Sequence, residues 1–180
     1  MRRIWLIPAL LVGFLMVAWV GLTASDTFFL ETSEDILKGS DPACSLPSDF
    51  PSSILRWCPL IESAADETGL PAGLVAAVIL QESSGDPLAY SSSGAVGLMQ
   101  VMPRDGLASA FMCINGPCFA SRPTIKELQD PLFNINYGSQ MLAALYARHG
   151  SYREALFRYG PMDRGYGYAD RVLSLWEIYQ

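Results

Sequence analysis

Residues 82–103 read ESSGDPLAYSSSGAVGLMQVMP, and this stretch organises the rest of the chain. It begins with Glu82 at the expected end of a helix, continues through a loop rich in Ser, Gly and Pro, and closes in a compact Gly-Leu-Met-Gln turn. Within that turn Gln100 is the only side chain able to make directional hydrogen bonds. The order predicts a cleft with one carboxylic acid at its edge.

The helix that leads into this stretch is expected to begin at Pro71. Its apolar residues recur at helical spacing and form an inward stripe: Leu74, Val75, Val78 and Ile79. Glu82 follows Val78 by one helical repeat, so its carboxyl points inward on the same stripe. Burial and the negative end of the helix dipole both disfavour the charged form, and both therefore raise the pKa of Glu82 toward the range that a general acid needs.

Proline, glycine and capping residues divide the rest of the domain into further helices. Pro59 opens a helix to Thr68, and Asp130-Pro131 opens a longer helix that ends at Gly150. Gly138 is expected to let another helix approach that longer one. The other expected helix starts are the capping-box pairs Thr124/Glu127 and Ser151/Glu154, and a last helix after Gly167. Strand signals are weak, so the prediction is a mainly α-helical domain with at most a small β-hairpin over residues 91–101.

The N-terminal segment is typical of an exported protein. Residues 4–22 carry no charge, follow Arg2 and Arg3, and number about 19, which is long for a signal-peptide core and sufficient for a spanning helix. We expect a retained membrane anchor in residues 1–25, with cleavage near Thr23 as the alternative, which would give a secreted protein. Residues 26–50 lack apolar periodicity and are expected to form a tether, and the folded domain is expected to cover residues 51–180.

Charge and cysteine content restrict the possible partners. The net charge of −6 disfavours binding to nucleic acid, and nothing indicates more than a monomer. Four cysteines in an exported chain favour two disulfides, for which we expect Cys44 with Cys58 and Cys113 with Cys118. A zinc site is the competing interpretation, but the chain has a single His and no C-x-x-C pair.

Residues from about Leu60 to Tyr179 resemble the catalytic domain of the lytic transglycosylases, of the soluble-lytic-transglycosylase type related to goose-type lysozyme. Glu82-Ser83 resembles the helix-terminal catalytic Glu-Ser of that family, and residues 94–100 resemble its Gly-Ala-x-Gly-Leu-Met-Gln segment. The later matches are Asp130-Pro131 with Asn134-Ile135 and Gly138, Ala155-Leu156 with Tyr159, and Tyr168 before Val172.

The resemblance implies a lysozyme-like fold acting on peptidoglycan outside the cytoplasm, without a metal or other cofactor. Glu82 would protonate the β-1,4 bond between N-acetylmuramic acid and N-acetylglucosamine, then act as base while the muramic acid 6-hydroxyl closes a 1,6-anhydro ring. The implied substrate contacts are Ser83, Met99, Gln100, Asn134 and Tyr159. Most glycosidases need a second carboxylate, whereas an internal hydroxyl attacks by proximity.

Simpler roles stand beside these assignments. Ser83 would then be a local helix cap, Gln100 a partner for backbone groups and Met99 a core residue. Asp86 precedes Pro87 and is foremost a turn residue. Tyr166 and Tyr168 fit core positions, with stacking on a sugar as the alternative.

One departure from the family pattern affects the function. The family usually has Asn directly after the Tyr that matches Tyr159, but this chain has Gly160. A polar contact in the cleft would then be missing. A hydrolytic muramidase on the same fold and a non-catalytic peptidoglycan-binding module therefore remain the alternative functions.

Overall fold

The computed structural model describes residues 44–161 and 165–180. Its α-helices are α1 (Ser52–Leu55), α2 (Cys58–Thr68), α3 (Ala72–Ser83), α4 (Ile125–Leu128), α5 (Pro131–His149), α6 (Tyr152–Tyr159) and α7 (Gly167–Ile178). A 3₁₀ helix spans Gly106–Ala110, and two short strands, β1 (Met112–Cys113) and β2 (Gly116–Pro117), form an antiparallel pair. The mainly helical fold with a small hairpin is confirmed.

The predicted capping and terminating residues set the helix ends. Gly69 ends α2 and Gly150 ends α5, each in the left-handed conformation, with φ of 70° and 74°. The side chain of Asp130 caps α5 by accepting a hydrogen bond from the backbone N–H of Phe133. Thr124 and Glu127 form a complete capping box at α4.

The capping box expected at Ser151 is only half formed. The Ser151 side chain accepts a hydrogen bond from the backbone N–H of Glu154. The Glu154 carboxylate does not return to the cap, because it accepts from Arg158 and from the hydroxyl of Tyr166 instead. The Glu154 carboxylate therefore binds one charged donor and one hydroxyl donor in place of the backbone N–H that would complete the capping box.

Helix α3 lies at the centre of the domain and packs against α1, α2 and α7. The expected inward stripe is correct but incomplete, because all six residues from 74 to 79 are buried. A helix that is covered on all faces has no side exposed to solvent, so it needs no polar face. Glu82 therefore sits at the end of the most deeply buried helix in the described chain.

The packed domain reaches further toward the N-terminus than the expected start at Pro51. Leu46 and Phe50 are buried in the main core, and the Phe50 ring stacks on that of Tyr179 at 4.3 Å between centroids. Cys44 forms a disulfide with Cys58 at the start of α2. The last residues assigned to the tether thus belong to the folded domain, because their apolar side chains and this disulfide fix them to it.

The small hairpin does not lie where the sequence predicted it. Residues 90–101 contain only isolated bridges, between Tyr90 and Val96 and between Val96 and Val101. Positive φ angles at Gly94, Gly97 and Gln100 interrupt any extended run there. The paired strands are β1 and β2, which lie next to the Cys113–Cys118 disulfide, with Cys113 itself the last residue of β1.

The expected membrane anchor, residues 4–22, lies outside the described residues, as does most of the tether. Among the described residues, no helix has the length and apolar character to cross a bilayer.

Candidate active site

Glu82 lies in the last turn of α3, where Ser84 ends the helix in the left-handed conformation with φ of 53°. Its carboxyl group faces a cavity of about 290 Å³. Burial raises the pKa of Glu82 from an ordinary value of 4.5 to about 7, and a hydrogen bond from Tyr168 opposes that rise. Desolvation is the larger effect, so a substantial fraction of Glu82 is protonated at neutral pH.

Tyr168 is the protein's partner for this acid. It lies in the first turn of α7, is buried, and donates its hydroxyl hydrogen to Oε1 of Glu82. Burial, and next the Glu82 charge, hold the pKa of Tyr168 well above its usual value, so the phenol remains a donor. The sequence suggested only core packing or sugar stacking for Tyr168, and the single hint of a role at the site was that Tyr168 before Val172 resembles the family pattern.

Gly160 makes room for the Tyr168 ring. A Cβ atom at position 160 would lie 2.3 Å from Cδ1 of Tyr168, far inside van der Waals contact. The glycine has an ordinary φ of −81°, so side-chain space and not backbone conformation is what excludes larger residues. The glycine at position 160 lacks the polar side chain that the family pattern has there. It leaves room instead for an aromatic ring whose hydroxyl reaches the acid.

Asn134 holds the Gly-Leu-Met-Gln turn and does not line the cleft. Its side chain is fully buried on α5. Its Oδ1 accepts from the backbone N–H of Met99 at 2.8 Å, and its Nδ2 donates to the carbonyl groups of Val96 and Leu128 at 2.9 and 2.8 Å. The polar atoms of the Asn134 side chain are thus bonded to the protein backbone, and its contact with substrate stays a prediction.

Met99 is also a structural residue. Its side chain is fully buried, and a Cβ at Gly138 would lie 2.6 Å from its sulfur. Gly138 therefore admits the side chain of Met99, and the Tyr159 hydroxyl of α6 lies 3.0 Å from the same Cβ position. The Met99 side chain fills the space against α5, which is the core role that the sequence offered as the alternative, and its contact with substrate stays a prediction.

Ser83 connects the end of α3 to the same turn. Its hydroxyl donates to the carbonyl of Leu98 at 2.9 Å and accepts from the backbone N–H of Gly85 at 3.2 Å. The local-cap interpretation describes these contacts. They fix the distance between the acid and the turn, and a direct contact of Ser83 with substrate stays a prediction.

Gln100 and Tyr159 are the predicted site residues that line the cavity with Glu82. Nε2 of Gln100 donates to the carbonyl groups of Ala89 and Gly97, and the backbone of Gln100 adopts a positive φ of 47°. The Tyr159 hydroxyl donates to the carbonyl of Met99 at 2.8 Å, and the hydroxyl bonded to Glu82 is that of Tyr168.

We call the cavity at Glu82 the Glu82 cleft. The full set that lines it is Glu82, Ser91, Ala95, Gln100, Met102, Tyr159, Gly160 and Pro161. Among these residues Glu82 has the only carboxylate. Asp86, in the loop after α3, is exposed and accepts a hydrogen bond from the backbone N–H of Leu88, as expected for a turn residue.

Both expected disulfide pairs are present, Cys44–Cys58 and Cys113–Cys118. Within residues 44–161 and 165–180, the one cluster of possible metal ligands is Cys44, Cys58 and Glu62. Its two sulfur atoms are bonded to each other, so this cluster lacks the thiolates that a zinc site needs.

Comparison with known protein families identifies a family that contains this arrangement. The sequence model described as the transglycosylase SLT domain matches residues 59–161, which is more than half of the chain and contains both Glu82 and Tyr159. The chain belongs to the transglycosylase SLT domain family.

Curated proteins of similar sequence are named as membrane-bound lytic murein transglycosylases. The SLT-domain chain is 34% identical over 94 residues to the membrane-bound lytic murein transglycosylase E of Buchnera aphidicola, a match that covers 52% of this chain and 41% of that protein. It is 34% identical over 91 residues to the endo-type membrane-bound lytic murein transglycosylase A of Klebsiella pneumoniae, covering 51% and 43%. These matches span less than half the length of either relative.

A solved structure supports the fold assignment. An inactive mutant of the lytic transglycosylase Slt from Pseudomonas aeruginosa superposes on this SLT-domain chain with a TM-score of 0.52 and 23% identity, covering 67% of this chain and 23% of that one. At this identity the likeness concerns the fold.

Proposed function

We propose that this protein is a peptidoglycan lytic transglycosylase in which Glu82 is the only catalytic carboxyl group. The observation that carries the proposal is the state of Glu82. It is a buried acid with a pKa of about 7, it opens on a cleft, and Tyr168 donates a hydrogen bond to one of its oxygens. The names of the similar proteins support murein as the substrate.

The proposed reaction uses the same carboxyl group twice. Protonated Glu82 gives its proton to the glycosidic oxygen between N-acetylmuramic acid and N-acetylglucosamine, and the C1–oxygen bond breaks. The resulting carboxylate accepts the proton of the muramic acid 6-hydroxyl as that oxygen bonds to C1, which forms the 1,6-anhydro ring and restores the acid. A pKa near the working pH suits a group that must both give and take a proton.

Tyr168 suits this cycle because its hydrogen bond is to the carboxylate form. When Glu82 has given up its proton, the phenol stabilises the negative charge in a site where burial otherwise opposes it. The second oxygen of the carboxyl group is left to face the substrate. Tyr168 is therefore proposed as a positioning residue for the acid.

The lining of the Glu82 cleft favours an internal nucleophile. A retaining or inverting glycosidase places two carboxyl groups across the scissile bond, whereas the described residues around Glu82 supply one. The 6-hydroxyl of the substrate is itself the nucleophile, because it is already held next to C1. The reaction therefore needs no second carboxylate.

We further propose that residues 4–22 anchor the domain to the membrane and that residues 26–43 give it reach toward extracytoplasmic peptidoglycan. The uncharged N-terminal segment supports this, as do the membrane-bound relatives by their names.

Digestion of purified peptidoglycan tests the function. We expect fragments with anhydro ends, lighter by one water than hydrolysis products, and clearing of cell-wall suspensions. Reducing-ended fragments alone would establish a hydrolytic muramidase instead. Wall binding without clearing, equal for the wild type and Glu82→Gln, would identify a non-catalytic binding module.

A further inference from the structure

The Glu82 cleft continues into two further recesses. The middle recess, of about 330 Å³, shares Gln100, Met102, Tyr159 and Gly160 with the cleft. The arginine recess, of about 310 Å³, shares Arg122, Met141 and Arg158 with the middle recess. A single groove therefore runs from the acid along α5 and α6. The residues that line the arginine recess are Arg122, Met141, Ala144, Leu145, Arg148 and Arg158.

This end of the groove is positively charged, although the chain carries a net charge of −6. Three guanidinium groups line the arginine recess, and no Asp or Glu lines it or the middle recess. Among the described residues, the ion pairs are Arg153 with Asp170 and Arg158 with Glu154. Neither Arg122 nor Arg148 has a carboxylate partner in that part of the chain.

Arg122 is held in place by uncharged groups. One of its terminal nitrogens contacts the sulfur of Met141, and its guanidinium lies 6.0 Å from the centre of the Phe119 ring. Its side chain is half-buried. Taking the Arg122 guanidinium partly out of water without a counter-ion is unfavourable, and an anion bound beside it, within reach of the exposed Arg148, offsets that cost.

We propose that the arginine recess binds carboxylate groups of the peptide stems that are attached to muramic acid. This inference rests on the proposed function. The sugar backbone of the substrate is uncharged, but its stem peptides end in carboxylates, and a strand with its scissile bond at Glu82 extends its substituents along this groove. Guanidinium groups match the planar carboxylate with paired hydrogen bonds.

Defined oligosaccharides with acidic stem peptides, and the same oligosaccharides with their stem carboxylates amidated, test the proposal. For the double variant Arg122→Gln/Arg148→Gln, we expect the ratio of kcat/KM on the acidic-stem substrate to that on the amidated one to fall by roughly tenfold or more, mainly through KM. Lysine at the same two positions should restore part of the ratio, since charge is retained. Arg56→Gln, at an exposed arginine outside the groove, is the matched control and should leave the ratio unchanged.

An unchanged ratio in the double variant, with an unaltered melting temperature, would overturn the proposal. So would an equal loss on both substrates, because it would indicate a general effect on the glycan site.

A binding measurement separates this proposal from the proposed function. The full chain is titrated with a free stem tetrapeptide and with the same peptide whose carboxylates are amidated, and binding is followed by calorimetry. We expect the acidic peptide to bind at least tenfold more tightly, with the difference lost in the double variant and reduced by salt. Equal binding of both peptides would refute the recess as a carboxylate site even if the enzyme is active. Preference for the acidic peptide would support it even if no cleavage is detected.

Discussion

Tyr168 and Glu82 lie 86 positions apart in the sequence, and the hydroxyl of Tyr168 donates a hydrogen bond to the carboxyl group of Glu82. The contact joins the end of α3 to the start of α7. It lowers the pKa of Glu82, but burial raises that pKa more. The acid is therefore poised near neutrality by two opposing effects from different parts of the fold.

Replacing Glu82 with Gln should abolish wall lysis, because the amide can neither give nor take the proton. We expect a fall in kcat of roughly 10²- to 10⁴-fold, the usual contribution of general acid–base catalysis. Asp86→Asn is the matched control, since Asp86 is exposed and bonded within its own turn. Comparable turbidity loss for Glu82→Gln and the wild type would contradict the catalytic role.

The same substitution should change the pH dependence of stability. The folded-state pKa of Glu82 is about 7 against 4.5 for the free group. Between these values the folded chain keeps a proton that the unfolded chain releases, so the free energy of unfolding falls as pH rises through this window. Glu82→Gln lacks this penalty and should gain stability over the wild type from pH 4.5 to pH 8, by up to about 3 kcal/mol.

Urea unfolding of both proteins at several pH values measures the effect. A stability difference that stays constant between pH 4.5 and pH 8 would show that the pKa of Glu82 is not raised. Glu177→Gln, at an exposed acid on α7, provides a reference for changes in overall charge.

Tyr168→Phe should move the alkaline limb of the activity profile to higher pH. The substitution removes a hydrogen bond that lowers the pKa of Glu82 while keeping the ring, so the acid stays protonated further into the alkaline range. The profile of kcat/KM against pH records the shift. Tyr166→Phe removes a hydroxyl that is bonded to Glu154, and its profile should match the wild type. A shift to lower pH in Tyr168→Phe would refute this account.

Gly160→Ala should displace the Tyr168 ring, since the new Cβ would overlap it. Overpacking of this kind costs about 1–3 kcal/mol, and the acid would lose its phenol partner. We expect a lower melting temperature together with an altered pH profile. Gly167→Ala is the matched control, because its Cβ would lie 3.7 Å from the nearest atom, at the tip of Arg171. Equal behaviour of the two variants would show that position 160 has room for a side chain.

Asn134→Ala should destabilise the domain strongly. It leaves the buried N–H of Met99 and the carbonyl of Leu128 without their partner, while the carbonyl of Val96 keeps only the N–H of Val101. Each unsatisfied group costs about 1–3 kcal/mol, so we expect a loss of about 2 kcal/mol or more in the free energy of unfolding.

Asn136→Ala serves as the matched control on the same helix, because Oδ1 of Asn136 has no hydrogen-bond partner among the described residues. A loss for Asn134→Ala no larger than that for Asn136→Ala would contradict the structural role of Asn134. Thermal and urea unfolding measure both changes.

Local signals account for what the sequence predicted correctly. The Asp130 cap and the glycines at positions 69 and 150 act on their own neighbours, so they can be recognised without the fold. The inward position of Glu82 follows from helical spacing alone. The disulfide pairs join cysteines that are near in sequence, at separations of 14 and 5.

The supporting contacts of the site residues could not be predicted, because they depend on distant parts of the chain. The Asn134 side chain bonds to Val96 across 38 positions, and the Tyr159 hydroxyl to Met99 across 60. A motif marks such residues as important, but it does not show whether a side chain faces the cleft or supports its floor. The role of Tyr168 at the acid was missed for the same reason.

The disulfide between Cys44 and Cys58 also determines how the domain bears mechanical load. Any tension that reaches the domain along the chain before Cys44 passes through the covalent bond to the start of α2. Residues 45–57, including the buried Phe50, then lie in a loop that carries no force. A wall-bound domain pulled from its N-terminal side would transmit that pull directly into its core helices.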